Sequence, residues 1–352
     1  MTEVYEIDPI DDLRWNRLVK RHPQSSVFHT SQWLEALHRT YSFKPIAFST
    51  TPPGKELQDG IAFCEISSWL TGNRLISLPF SDHCEPLVDG SADFKVILSS
   101  VSRKLRDTNS LYAEIRPLNG IHLDYSFARS TVSYRLHRLD LRPDLDTLFH
   151  NCHRSSTQRK VLRAEREQLS YDEGRSDPLL GAFYRLLVQT RQRHGMPPQP
   201  EKWFRNLIDH FGEALKLRVA FRSTTAVAGI LTLQHKNTLV YKYGCSDSNF
   251  HNLGAVQFLF WRAIMDAKRQ GLQVFDLGRS DIDNQGLITF KDRWGSQQST
   301  LTYTRVPAAG KAGAPVAFSR TNWRWNIPRA IISHLPDRAV RAIGRLFYRH
   351  VG

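Results

Sequence analysis

No run of eighteen apolar residues occurs in this 352-residue chain, and its opening, MTEVYEIDPIDD, is acidic where a secretion leader is basic. Neither a membrane-spanning helix nor a signal peptide is expected, and a cytoplasmic protein is. Cysteine is scarce: Cys64, Cys84, Cys152 and Cys245 lie far apart and form no CxxC pair. That excludes a zinc ribbon or a disulfide framework and fits reduced, structural thiols. No GxSxG, GxGxxG or P-loop is present, and His194, His210 and His235 have no metal-ligand spacing. Acidic residues are in deficit, 34 against 48 Lys and Arg, for a net charge of +14. Such an excess favours polyanionic partners, whether RNA, a phosphorylated donor or an anionic membrane face; solubility alone is the plainer reading. Apolar residues are not lacking. At 41% they suffice for a packed core, and the length favours two domains.

The order of elements repeats. Ser31–Tyr41 has Trp33, Leu37 and Tyr41 at helical spacing, followed by strands at Pro45–Ser49, Gly60–Ile66 and Asn73–Phe80, a helix at Ala92–Asp107 and a strand at Leu111–Arg116. The second half offers a helix at Pro200–Phe211, strands at Leu215–Phe221, Val227–Leu233 and Thr238–Gly244, an apolar helix at Leu253–Ala267 and a strand at Gln273–Leu277. Equivalent strands are shifted by a near-constant distance along the chain. The fold expected is α/β (α+β): two similar units, each with a mixed, mainly antiparallel sheet flanked by helices. The first unit spans 1–143 and the second 144–306, opened by a helix after Ser155-Ser156 and another over Asp177–His194. A linker over 307–319 and a tail over 320–352 follow. The tail holds seven arginines and one acidic residue, Asp337, and its last helix sets Arg338, Arg341, Arg345 and Arg349 opposite Val340, Ile343 and Phe347.

The densest chemistry follows the strand at Gln273–Leu277, in a loop holding Arg279, Asp281, Asp283, Asn284, Phe290, Lys291, Asp292, Arg293 and Trp294. Helix, three-strand meander, helix, strand is the order used by acyltransferases of the GNAT type. In that fold the third strand splays from the next, and free N–H groups at the intervening helix N-terminus bind pyrophosphate or a carbonyl oxygen. Here that turn runs from Ser246 to Ala255. Of the usual glycine-containing signature only Gly254 survives, so Gly254 and Ala255 are candidates for donor binding, with close packing at Gly254 the competing explanation. Phe28, Ser31 and Trp33, together with YKYGCSD, FDLGRSD, GLITFKDRWG and the strand LTYTR, resemble the Fem-type family of peptidoglycan aminoacyltransferases and related GNAT proteins over about residues 5–305.

The resemblance implies a tandem pair of GNAT-like units. Phe290-Lys291 falls on the family's Phe-Lys pair, where lysine stabilises the charge developing during acyl transfer. Lys291 is thus the expected catalytic cation, exposed to a cleft that Phe290 and Trp294 keep dry; a surface ion pair with Asp292 or Asp281 is the alternative. Arg279, Asp281 and Arg293 are expected to bind substrate. In LPFSDHCEPL, Asp82 is the candidate proton acceptor facing a cleft between units, or else a turn former. Arg159 and Arg163, in step with Arg166, either grip donor phosphates or form a solvated face beside Glu165 and Glu167. No permanently bound cofactor is implied; the donor would be acyl-CoA or aminoacyl-tRNA, and the acceptor an amine or hydroxyl of an envelope precursor. Residues 320–352 would add a peripheral contact with an anionic inner membrane. The rival reading is an inactive GNAT-like module that binds RNA or anionic lipid.

Overall fold

A computed structural model describes residues 2–119, 130–308 and 329–351, and it divides into two compact units. The first begins with β1 (Tyr5–Ile7), α1 (Leu13–Arg21) and α2 (Ser31–Tyr41). Thr30 caps α2 by accepting the Trp33 N–H at 3.4 Å, and Ser42, in left-handed conformation, ends it. Then come β2 (Lys44–Ser49), β3 (Ile61–Ile66), β4 (Arg74–Ile76), α3 (Ser91–Asp107) and β5 (Tyr112–Ile115). Strands β1 to β4 pair antiparallel in sequence order, and β4 pairs β5 in parallel. The α3 face of Phe94, Ile97, Leu98, Val101 and Leu105 is buried on Phe48, Phe63 and Leu75. A parallel pair needs such a crossover helix, and its apolar stripe is what holds the helix to the sheet.

The second unit contains β6 (Ser130–Asp140), α4 (Leu145–Asn151), α5 (Arg159–Arg166), β7 (Ser170–Gly174), α6 (Asp177–Arg193), α7 (Glu201–Phe211), β8 (Leu215–Arg222), β9 (Thr225–His235), β10 (Thr238–Ser246), α8 (Ala255–Arg269), β11 (Val274–Asp281) and α9 (Gln285–Asp292). Strands β7 to β10 form an antiparallel series and β10 pairs β11 in parallel. That is the connectivity of β1 to β5, so the duplication is present in the structure. Its core gathers Phe258, Leu259, Phe260 and Ile264 of α8 with Ile230, Leu239, Phe275 and Leu277 of the sheet.

Each unit gains one more strand. β6 lies antiparallel to β11 in the second unit, while the last strand, β12 (Gln297–Pro307), lies antiparallel to β5 in the first from Thr304 onward. The change of unit therefore falls at Ser133 and again at Leu301, earlier than the expected boundaries at 143 and 306. The expected polar loop after Leu277 is also more ordered than its composition suggests. β11 continues to Asp281, and α9 follows, capped by Asn284, whose side chain accepts the Leu287 N–H at 3.2 Å.

Most of the linker, and with it Arg320, Trp323 and Trp325, lies outside the described residues. The tail resumes as α10 (Arg329–His334) and α11 (Asp337–Phe347). On α11, Val340 is fully buried and the Arg341 guanidinium lies 4.9 Å from the Tyr184 ring centre. Gly344 sits so close to Pro198 that an added Cβ would come within 2.0 Å of its carbonyl oxygen. Part of the face expected to meet lipid is thus spent on docking to the second unit. No helix among the described residues is long and apolar enough to cross a membrane.

Candidate active site

The parallel pair β10–β11 is short. Thr238, Leu239 and Val240 stand beside Val274, Phe275 and Asp276, and there the pairing stops. β10 runs on to Ser246 in register with β9, while β11 runs on to Asp281 in register with β6. Two parallel strands that part in mid-length leave backbone groups facing a gap, where an extended ligand can be hydrogen-bonded.

On the β11 side the strand carries a bulge. Arg138 pairs Asp276 and Leu136 pairs Arg279, so Leu277 and Gly278 stand opposite His137 alone. Gly278 has φ +71°, and its N–H donates to Asp276 Oδ1 at 2.8 Å. This backbone bend is one glycine adopts without penalty. The Lys291 ammonium donates to the carbonyls of both Gly278 and Arg279, at 2.7 and 2.9 Å.

Lys291 is 2% exposed. The expectation that it is solvent-exposed, or paired with an acid on the surface, is therefore corrected. The last turn of α9 points it inward, and the carbonyls released by the bulge replace water around the charge. Beside it, His137 is fully buried, and its Nε2 lies 3.0 Å from Asp292 Oδ1. Burial, and then the nearby Lys291 charge, hold His137 below its ordinary pKa. The ring is neutral at pH 7, with Nε2–H donating to Asp292. Arg279 is half-buried, 4.1 Å from the Tyr134 ring centre and 4.0 Å from Asp281.

Lys291, Arg279 and Asp281 are thus brought together, and Tyr134 and His137 of β6 join them. Sequence reasoning missed both, although the alternation of Val132, Tyr134 and Leu136 was a strand signal. Trp294 is corrected: it is 1% exposed and stacks on Phe260 with ring centres 5.3 Å apart, so it belongs to the core. Phe290 is half-buried and meets the same ring edge-on at 5.3 Å. Arg293 has an exposed side chain, while its carbonyl takes the His153 N–H at 2.8 Å and the Thr157 hydroxyl at 3.1 Å, anchoring the start of α5.

Gly254, with φ +75°, is pressed against α5; a Cβ there would lie 2.4 Å from the Lys160 carbonyl oxygen. Close packing, the competing explanation, accounts for that glycine, and Ala255 beside it is buried. Arg159 is exposed, whereas Arg163 reaches Glu167 at 3.5 Å.

Asp82 belongs to the first unit. Its carbonyl accepts the Tyr303 hydroxyl at 2.5 Å and its side chain is half-buried. The corresponding place in that unit, past the end of the β4–β5 pairing, is filled from within. The Arg116 guanidinium donates to Leu78 O at 2.7 Å and to Glu114 Oε1 at 2.8 Å, and a Cys84–Arg116 bridge closes the backbone. The open strand pair is in the second unit.

Residues 153–291 match the acetyltransferase (GNAT) domain family, a span that ends on Lys291. The chain is similar in fold to FemX, with TM-score 0.64 and 15% identity over 85% of this chain and 96% of that one. It is similar also to L-PGS from Bacillus licheniformis, with TM-score 0.56 and 12% identity over 95% and 97% of the two chains. A tandem GNAT protein from the clavulanic acid biosynthesis pathway aligns with TM-score 0.56 and 10% identity over 88% of this chain and 99% of that one. No sequence match to a curated protein accompanies these likenesses of fold.

Proposed function

Starting from a Fem-like tandem GNAT acyltransferase, we propose that this chain transfers an acyl or aminoacyl group to an amine or hydroxyl of a cell-envelope precursor, using the gap between β10 and β11 as the donor site. The observation that carries this reading is the parting of those strands after Val240 and Asp276, directly before α8. A donor entering where β10 and β11 part presents its carbonyl to a nucleophile. As the new bond forms, the carbonyl oxygen gains charge, and the tetrahedral intermediate collapses by expelling a thiolate or a ribose hydroxyl. Lys291 supplies a fixed positive charge toward that oxygen. Its two carbonyl contacts hold it in place before reaction, which is what makes such a charge effective. Arg279 and Arg293 bind donor phosphate, Asp281 orients Arg279, and Arg159 adds charge. Asp82 is proposed separately as the acceptor-side base, and Asp82→Asn should lower kcat when assayed at a temperature where the variant is folded.

The Fem-type resemblance, together with the likeness to FemX and L-PGS, supports an envelope acceptor. Acyl-CoA and aminoacyl-tRNA remain the two donor classes. Incubation with each, followed by measurement of donor consumption with and without envelope precursors, tests the proposal. Consumption of neither donor, under conditions where the protein is folded, would favour the inactive binding module.

A further inference from the structure

The first unit carries an apolar tip that its own packing does not use. Trp69 is 86% exposed, next to Leu70 at 36%. Leu111, 46% exposed, adjoins the same loop, since its Cδ1 would lie 2.6 Å from a Cβ on Gly72. This loop is braced. Ser68 Oγ accepts the Leu70 and Thr71 N–H groups at 3.2 and 3.0 Å, and the Gly72 N–H reaches the Ser68 carbonyl at 2.8 Å. The end of the chain is tied in as well: the His350 carbonyl accepts Arg74 Nη2 at 2.6 Å and Thr71 Oγ1 at 2.9 Å, and its Nδ1 lies 2.9 Å from Ser68 Oγ. Trp69 meets the His350 ring edge-on at 5.6 Å. One turn before His350, Leu346 is 66% exposed.

We propose that this tip, with Trp69 at its apex, docks the protein on an anionic lipid surface. A rigid loop presenting indole and leucine to solvent has the composition that settles at a bilayer interface, where indole has both an apolar face and an N–H for the headgroup layer. The charge pattern selects the occupant. Residues 67–74, 108–111 and 346–351 contain no Asp or Glu, while Arg349 is exposed. Apolar insertion plus cationic attraction is the combination that reversible membrane binding requires. The apex, Trp69 and Leu70, lies on a loop apart from the apolar face of α11, whose Val340 is already buried. The proposal agrees with an envelope acceptor, but its test measures binding and involves no transfer, so it can fail independently of the proposed reaction.

The full chain is sedimented with phosphatidylglycerol-rich vesicles and with phosphatidylcholine vesicles, alongside Trp69→Ala, Leu70→Ser and Arg349→Glu variants. Wild type should partition to the anionic vesicles. Trp69→Ala should weaken that partition about tenfold or more, the scale expected from burying one large apolar side chain, with an unchanged melting temperature. Arg349→Glu should weaken it on anionic vesicles only. Absence of wild-type binding, or full binding by Trp69→Ala, would overturn the proposal. So would displacement by soluble glycerol phosphate, which indicates a headgroup site without insertion. A change in oligomeric state of Trp69→Ala without lipid would assign the tip to a second copy instead and equally overturn it.

Discussion

Lys291 keeps its ammonium on two carbonyls, so its replacement must be felt in stability as well as in rate. Lys291→Met leaves the carbonyls of Gly278 and Arg279 without that donor, at a cost of about 1–3 kcal/mol for a buried unsatisfied group. A lower melting temperature by several degrees is expected, and turnover at a temperature where the variant is folded should drop about a hundredfold. Unchanged turnover in the folded variant would make Lys291 a purely structural pin for the bulge. Arg293→Met is the contrasting case: the exposed side chain can be lost without disturbing the backbone carbonyl that anchors α5. Donor KM should rise while the melting temperature stays constant. His235 gives a pH signature. Burial, with a smaller contribution from Lys236, holds it at about 4 where an ordinary histidine lies near 6.5. The folded state therefore keeps it neutral, and the unfolded chain takes the proton first as pH falls. Stability should be complete above about pH 6.5 and decline toward pH 4, and a His235→Phe variant should show a shallower melting-temperature profile across that window.

Between elements, the tightest approach in the candidate site is α8 against α5 at Gly254. Gly254→Ala adds both a left-handed strain and a contact with the Lys160 carbonyl, so the two elements must separate. A melting-temperature drop larger than that of Arg293→Met is expected, measured by thermal denaturation. The elements themselves differ in how well the sequence announces them. β8 and α3 were readable because Leu215, Leu217 and Val219, or Phe94, Ile97, Val101 and Leu105, fall on one face of a regular period. β6 is hard to read in the sequence because Arg135, His137, Arg138 and Asp140 interrupt its apolar alternation, and the partner that satisfies His137, Asp292, lies far along the chain. α9 is hard to read because it spans only eight residues and follows Asp281, Asp283 and Asn284, where turn residues cluster. Lys291 was found by resemblance, yet its burial could not be read: it depends on a bulge made by residues thirteen positions earlier.

For the molecule as a whole, the C-terminal helix is part of the folded body. Gly344→Leu would drive a side chain into the Pro198 carbonyl and release Val340 from its site. A lower melting temperature and faster proteolysis of the chain end are the expected results, followed by mass spectrometry. The two added strands have a wider consequence. β12 completes the first unit from the far end of the sequence, and β6, which follows that unit directly, serves the second. On the ribosome, the first 133 residues therefore emerge with the edge of β5 bare and must wait until Thr304 to Pro307 leave the exit tunnel. An uncovered strand edge is a template for the wrong partner throughout that wait. Cutting the gene after residue 143 would turn the delay into a permanent state, and the fragment should aggregate; a synthetic peptide of residues 296–308, supplied during refolding, should keep it soluble. The order of synthesis makes the last strand a checkpoint: a chain truncated before it leaves both its early and its late residues without a finished home.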